Sequence, residues 1–273
     1  MRNGHKAFDI SVAAATFVTL AFLIAPLAMV VVNSVGPDGL AFFPPPHFNL
    51  SAYAAIPPRW LTAALNSLLL AIFSAALAGV LGTCAALALA RGRWPHAAST
   101  LIDGILRLPI QAPALVLGVS FLQYYAWLSA TTHIDVRGSF VGLLLAHTAV
   151  SIPFVFTVVL ARLVSFDRRL EEAAMGLGAT PLQTFRKVTL PIISPAVLSG
   201  CFFAFLLSLD NVPLSLFLVG AGFPLLPVDL FTSIQFDLTR TVYAVATLVC
   251  IFTTLIVGLA FRYLTSVLTV ARA

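Results

Sequence analysis

Hydrophobic residues in this chain form six long runs, separated by shorter stretches that hold most of the charged residues. The runs cover residues 10–32, 63–89, 111–129, 139–161, 191–219 with an interruption, and 242–265. Each run is close to the ~20 residues that a helix needs to cross a hydrocarbon core about 30 Å thick. Lipid offers no hydrogen-bond partners to the backbone, so the spans are predicted to be helices. The pattern therefore predicts an all-α, polytopic membrane protein with six transmembrane helices.

The composition agrees with this prediction. Of the 273 residues, 60% are hydrophobic and 9% are charged, whereas soluble domains have about 45–50% and about 25%. The first run follows Arg2 and Lys6, as a signal peptide would. It is longer than a signal-peptide core, however, and no clear small-residue cleavage site follows it, so it is predicted to be an uncleaved helix.

Basic residues are distributed unevenly between the two sets of loops. If the N-terminus is cytoplasmic, twelve of the fifteen Lys and Arg residues lie in cytoplasmic segments, and only Arg59, Arg137 and Arg240 lie outside. Lys and Arg are retained on the cytoplasmic side, so both termini are predicted to be cytoplasmic. The net charge of +5 is then explained by orientation and by contact with membrane lipid, and no nucleic-acid partner is predicted.

The sequence offers no constellation of catalytic or metal-binding residues. The histidines are scattered, and the three cysteines Cys84, Cys201 and Cys250 lie in different spans without metal-ligand spacing, which suggests small buried residues. There is no phosphate-binding G-x-x-x-x-G-K-[ST] motif. We therefore expect no catalytic residue, no metal and no cofactor in this chain. His147 lies deep within a span, where a hydrogen-bonded packing residue is favoured over a ligand.

The longest outside loop covers roughly residues 34–61 and contains three consecutive prolines, Pro44 to Pro46. Consecutive prolines favour extended structure, so the loop is predicted to be stiff. Two interpretations remain open: a contact surface for a periplasmic partner, or a connector whose aromatic residues lie at the lipid interface.

The stretch from about residue 167 to 189, hereafter the 167–189 segment, is predicted to be a helix, a tight turn and a second helix. Asp167 is a candidate cap for the first helix, and Gly178 suits the left-handed residue that closes it. Thr180, Pro181 and Gln183 have the spacing of a capping box at the start of the second. Such short helices are marginal in water. On periodicity alone, the segment either docks on a partner or rests on the inner leaflet.

A specific resemblance covers this segment. It contains Glu172-Ala173-Ala174, then Gly178, Val188 and Leu190-Pro191, and this spacing resembles the EAA loop in permease subunits of binding-protein-dependent ABC importers. The resemblance extends over roughly residues 60–268, through ALNSLLLA near Asn66, LPIQAPALVLG, VSIPFV, SLDNVPLSLFLVG and FPLLPVDLF. In these stretches the chain is similar to spermidine/putrescine-type permeases.

The resemblance implies a type I importer permease fold in a bacterial inner membrane, with an N-terminal helix and periplasmic loop at 1–62 and a core of five helices at 63–268. It implies as partners a pair of ATP-binding subunits, which hold the ATP and Mg, a periplasmic binding protein and a second permease subunit. A different chain is favoured as this second subunit, and a second copy of the present chain is the alternative. ATP hydrolysis would occur in the separate ATPase, so this chain is not an enzyme. The residues that the resemblance assigns to an ATPase-docking coupling helix are Glu171, Glu172, Ala173, Ala174, Leu177 and Gly178.

Polar residues within the spans are candidates for the translocation pathway because they are costly in lipid. The sequence Asp210-Asn211-Val212-Pro213 predicts a helix break, in which Asp210 or Asn211 caps a new helix. Asp210 either lines the pathway and attracts a cationic solute or serves as a cap alone. Asn66 either lines the pathway or forms an interhelical hydrogen bond, and the hydrogen bond is favoured.

The predicted function is therefore import of a small solute, with a polyamine such as spermidine or putrescine as the first choice. Aminoethylphosphonate, iron or thiamine is the alternative within the same class. An ion-coupled secondary transporter and a membrane scaffold are the rival classes. A secondary transporter would be expected to show paired broken helices and several carboxylates at the midplane, whereas this sequence offers one break and one acid.

Overall fold

The computed structural model describes residues 2–36, 48–236 and 239–270. Within these ranges the secondary structure is helical. The helices are α1 (Arg2–Val35), α2 (Ser51–Ala54), α3 (Pro58–Arg91), α4 (His96–Gln111), α5 (Ala114–Thr132), α6 (Phe140–Ser165), α7 (Arg169–Gly176), α8 (Pro181–Thr184), α9 (Leu190–Leu209), α10 (Val212–Ser215), α11 (Leu226–Phe236) and α12 (Arg240–Val270). A π-helical turn, Phe185–Thr189, joins α8 to α9.

The six predicted spans are confirmed. Among the residues that the structure describes, six helices are long and apolar enough to cross a membrane, and all six overlap the predicted runs. Their membrane-crossing parts are Ser11–Val35, Pro58–Arg91, Ala114–Thr132, Phe140–Ser165, Pro181–Leu209 and Arg240–Arg262. The prolines Pro44 to Pro46 of the outside loop lie outside the described residues. Sequence reasoning did not predict α4 or α11.

The described chain divides into two compact units. One consists of the described residues within 1–58 and 232–263, and the other of those within 59–231 and 264–273. The predicted boundary at residues 62 and 63 lies near the first of these divisions, but most of α12 groups with α1. In the smaller unit, the Tyr53 and Ser34 hydroxyls lie 2.8 Å apart, and the Arg240 guanidinium donates to the Gly36 carbonyl at 2.9 Å.

The larger unit is built around α3, α6 and α9. Small residues allow these helices to approach closely: a Cβ on Gly82 or on Gly200 would lie only 2.9 Å from an atom of Val155. Packing of small residues is the main source of helix association in lipid, where hydrophobic burial gives little drive. The contact of Gly200 with Val155 fixes α9 against α6. The candidate functional residues lie at the two ends of α9, so this packing determines their positions.

The cysteines differ from expectation. All three are free, but Cys84 is exposed and Cys201 and Cys250 are only partly buried in this chain. The prediction that they are buried is wrong because an apolar residue of a transmembrane helix faces either the protein or the lipid, and composition does not distinguish these faces.

Candidate functional site

The local structure of the 167–189 segment follows the predicted capping residues. The Asp167 carboxylate accepts the N–H of Arg169 at 3.0 Å, although the cap position itself is Arg168. Gly178 has φ +88° and donates its N–H to the Met175 carbonyl at 3.0 Å, which closes α7. The predicted capping box between Thr180 and Gln183 is present at the start of α8.

The second helix of this segment is part of a membrane span. From Pro181 the helix runs through the π turn Phe185–Thr189 into α9, which ends at Leu209. The turn lies just before Pro191, which has no N–H to donate, and π turns accommodate such local mismatches. The 29 residues from Pro181 to Leu209 form a rod about 43 Å long at ~1.5 Å per residue. The segment is thus connected directly to the far end of α9.

Glu171 points into the protein. Its carboxylate lies 3.0 Å from Arg91 Nε and accepts hydrogen bonds from Arg91 at 3.2 Å and from the Thr189 hydroxyl at 2.7 Å. The Arg91 guanidinium also lies over the Phe166 ring, 5.7 Å from its centroid. These contacts tie α7 to the end of α3 and to the π turn. Sequence reasoning missed Arg91 and Thr189 as partners.

The opposite side of α7 is open. Leu177 is 91% exposed, and a Cβ added at Gly176 or Gly178 would meet no atom within 4 Å. Glu172 and Ala173 are exposed as well, and Ala174 is partly buried. Of the six predicted docking residues, four therefore share an open surface, Ala174 lies at its margin, and Glu171 faces the protein.

A cavity of about 300 Å³ lies at the other end of α9. Its wall is apolar except at Asp210 and Asn211. The other lining residues are Pro109, Ile110, Ala112, Ala114, Val150, Phe154, Leu206, Leu207 and Pro213. Asp210 is the single ionisable residue of this lining.

Asn211, not Asp210, caps the helix after the break. The Asn211 side chain accepts the N–H of Leu214 at 3.2 Å, at the start of α10. Asp210 occupies the C-cap position of α9 and is exposed, and no hydrogen bond or ion pair of its carboxylate is found in the described part of the chain. Capping therefore does not account for the acid, and its carboxylate is available to a ligand in the cavity.

Asn66 lies elsewhere. Its side-chain amide donates to the Pro224 carbonyl at 3.0 Å, and Asn66 does not line the cavity that contains Asp210. The hydrogen bond ties α3 to the stretch before α11. The hydrogen-bonding interpretation of Asn66 thus has a specific partner, while its predicted place in the pathway has no support from this geometry.

The site thus consists of an open side of α7, a helix that continues from Pro181 to Leu209, and an apolar cavity at the far end of that helix. Residues 78–269 match the family described as binding-protein-dependent transport system inner membrane component, and the chain belongs to this family. It is therefore a multi-pass inner-membrane transport subunit rather than a catalyst. The membership decides against a secondary transporter and against a scaffold.

The most similar relatives include two polyamine permeases. The chain is 32% identical over 248 residues to the spermidine/putrescine permease PotC of Haemophilus influenzae, covering 89% of this chain and 92% of the relative. It is 33% identical to the putrescine permease PotI of Escherichia coli, covering 84% and 81%. The chain is also 36% identical over 169 residues to a sulfate permease, CysT of Salmonella typhimurium, but this alignment covers only 60% of each protein.

Solved structures of ABC importers share the fold. The chain superposes on a bacterial alginate importer with a TM-score of 0.76 at 16% identity, covering 94% of this chain and 96% of the other. For the methionine transporter MetNI, the TM-score is 0.61 at 19% identity, covering 76% and 95%. These likenesses confirm the predicted type I importer permease fold.

Proposed function

We propose that this chain is the permease subunit of an ATP-driven importer for a polyamine such as spermidine or putrescine. The observation that carries the proposal is Asp210, a carboxylate without a partner among the described residues, in the wall of an otherwise apolar cavity. A polyamine combines ammonium groups with methylene chains. A carboxylate attracts the ammonium groups, and an apolar wall accepts the methylenes.

The contrast with other charged residues supports this assignment. Glu171 pairs with Arg91, Asp103 lies 2.9 Å from Arg107, and Asp135 lies 2.7 Å from Arg137. A carboxylate without a cation nearby is costly in or near a membrane unless a ligand or water meets it. The same carboxylate would repel sulfate, so the cavity favours the cargo of the polyamine relatives over that of CysT.

The energy is proposed to come from partners. A pair of ATPase subunits, which bind ATP and Mg, docks on the open side of the 167–189 segment, and a second permease subunit of different sequence completes the pathway. A periplasmic binding protein delivers the solute. The excess of basic residues in alternate loops supports this orientation, with the segment and both termini in the cytoplasm.

The proposed mechanism is alternating access driven through α9. Closure of the ATPases on ATP binding moves the 167–189 segment, because the segment binds the closed and open ATPase states with different affinity. The segment continues as a helix to Leu209, so this motion is carried to the turn containing Asp210. The cavity around that turn then opens to the opposite side of the membrane.

The substitution Asp210→Asn tests the cargo. It keeps the size of the side chain and removes its charge. Polyamine import is expected to fall by about tenfold or more, because one charge-assisted hydrogen bond to the solute is lost. The measurement is uptake of labelled putrescine by proteoliposomes containing the complete importer. Asp210→Glu should retain most of the uptake.

The matched control is Asp135→Asn. Hydrogen bonds from Arg137 lower the pKa of Asp135 to about 2, so this carboxylate is ionised at neutral pH, as the pathway acid must be, but it lies in an exposed loop outside the cavity. Its replacement should leave uptake unchanged. Wild-type uptake by Asp210→Asn, or equal losses in both variants, would refute the assignment of Asp210 to a cationic solute.

A further inference from the structure

A chain of buried hydrogen bonds crosses the helix break next to the cavity. His147 in α6 is 1% exposed. Its Nδ1 lies 2.9 Å from the Ser208 hydroxyl, and its Nε2 lies 3.0 Å from the Ser215 hydroxyl. Ser208 is in the last turn of α9, and Ser215 ends α10. One imidazole ring therefore holds both sides of the interruption that contains Asp210 and Asn211.

The donors and acceptors in this series of hydrogen bonds determine which ring nitrogen of His147 carries a proton. The Ser215 hydroxyl donates to the Asn211 carbonyl at 2.6 Å, so its oxygen must accept a proton from His147 Nε2. At the other end, the Ser74 hydroxyl of α3 has one proton and two acceptors in reach, Ser208 Oγ at 2.8 Å and the Ala71 carbonyl at 3.2 Å, and it donates over the shorter distance to Ser208. The Ser208 proton is then directed to Nδ1, which accepts it. All these contacts are satisfied together by neutral histidine protonated on Nε2.

We propose that His147 is the positioning residue of the translocation pathway: by binding one serine on each side of the break, it holds the turn with Asp210 and Asn211 at the cavity wall. Asn211 takes part in both the hydrogen-bond chain and the helix cap. Its carbonyl accepts from Ser215 at the end of the hydrogen-bond chain, and its side chain caps α10. Without the imidazole, nothing in this hydrogen-bond chain joins α9 to α10. The inference rests on the proposed function only in taking the cavity as part of the pathway.

Ordinary packing does not explain this arrangement. The neighbouring Thr148 is equally buried, at 3% exposed, yet its hydroxyl has no hydrogen-bond partner among the described residues. The interior of this unit thus tolerates a polar side chain with no specific contact. His147, in contrast, uses both ring nitrogens on two different helices, and imidazole has the right span to join two hydroxyls with one donor and one acceptor.

The test measures amide hydrogen exchange in the complete importer in lipid nanodiscs, without substrate. We expect His147→Leu to accelerate exchange in peptides covering residues 206–219 by about fivefold to tenfold. This is the effect expected from losing one hydrogen bond of ordinary or slightly greater net strength. Peptides covering residues 114–132 of α5 should be unchanged. Ser215→Ala should reproduce the effect, and the double variant should show no more than either single variant, because both changes break the same chain.

Two further variants make the result specific. Thr148→Val is the matched control and should leave exchange unchanged. His147→Gln carries a donor near the position of Nε2, so it should keep the Ser215 contact and exchange more slowly than His147→Leu. The proposal is overturned by wild-type exchange at 206–219 in His147→Leu, by equal acceleration in α5, or by additive effects of the two substitutions. Because no solute is present, these outcomes do not depend on the identity of the cargo.

Discussion

Replacing Gly176 with leucine is expected to weaken ATPase association and lower ATP-driven transport strongly, while leaving the chain folded and inserted. Gly176 is the last residue of α7, and a Cβ there meets no atom of this chain within 4 Å. Leucine is also a better helix former than glycine by roughly 0.5–1 kcal/mol. The added side chain therefore has space in the isolated subunit and meets an obstacle only when the ATPase docks on the open side of the segment.

The expected size follows from the cost of overpacking a fitted interface. Inserting methylenes into a packed contact costs about 1–3 kcal/mol, which weakens association by about fivefold to 150-fold. The measurement is co-purification of the ATPase subunits together with solute uptake by proteoliposomes. Gly258→Leu is the matched control, because Gly258 lies in α12 and also meets nothing within 4 Å. Normal ATPase association by Gly176→Leu would place the docking surface elsewhere.

Reversing the charge of either Arg91 or Glu171 is expected to disconnect the 167–189 segment from the membrane helices. The side chains are only 21% and 13% exposed, and each reversal places two like charges in contact. Breaking a fully buried pair costs roughly 3–5 kcal/mol, and the partial exposure here reduces that cost. We expect Arg91→Glu and Glu171→Arg to retain ATP hydrolysis and lose transport by about tenfold or more.

The double reversal makes this prediction specific. Combining Arg91→Glu with Glu171→Arg restores opposite charges at the same two positions, so transport should recover to well above that of either single variant. The control is Arg137→Glu, because Arg137 and Asp135 form an exposed pair, and exposed pairs contribute little to stability. If the double variant is no better than the worse single one, the pair does not act as a connection.

These predictions depend on the two sides of α7, which the sequence alone did not separate. Local capping residues predicted the helix and turn correctly because a cap involves residues three or four positions apart. The partner of Glu171 is Arg91, which is 80 positions away. A short-range pattern contains no information about such a contact. The resemblance to the EAA loop groups Glu171 with the docking residues, and it does not separate the two sides of α7 either. We now propose that Glu171 positions the segment, and that Glu172, Ala173, Leu177 and Gly178 meet the ATPase.

The sequence alone does not decide whether Asp210 or Asn211 is the cap. An N-cap side chain accepts an N–H two or three residues ahead. Pro213 has no N–H, so each candidate keeps one donor: Val212 for Asp210, and Leu214 for Asn211. The structure decides for Asn211, which accepts from Leu214.

Long apolar runs identified the six spans, but they did not identify α4 and α11. In α4, the apolar residues are interrupted by polar ones and by Pro109, so no run reaches the length of a span. The serines that bind His147 were missed for a different reason. Ser208 and Ser215 are 61 and 68 positions from His147, and only the packing of α6 against α9 and α10 brings them together.

The most direct test of this account is uptake of labelled putrescine by proteoliposomes reconstituted with this chain, its partner permease and the binding protein, with and without the ATPase subunits. The account predicts uptake that requires the ATPase and also requires ATP on the side of the membrane where the ATPase lies. This uptake should fall by at least about fivefold in Gly176→Leu and stay unchanged in Gly258→Leu. Uptake of equal rate without the ATPase, driven by an ion gradient, would contradict it.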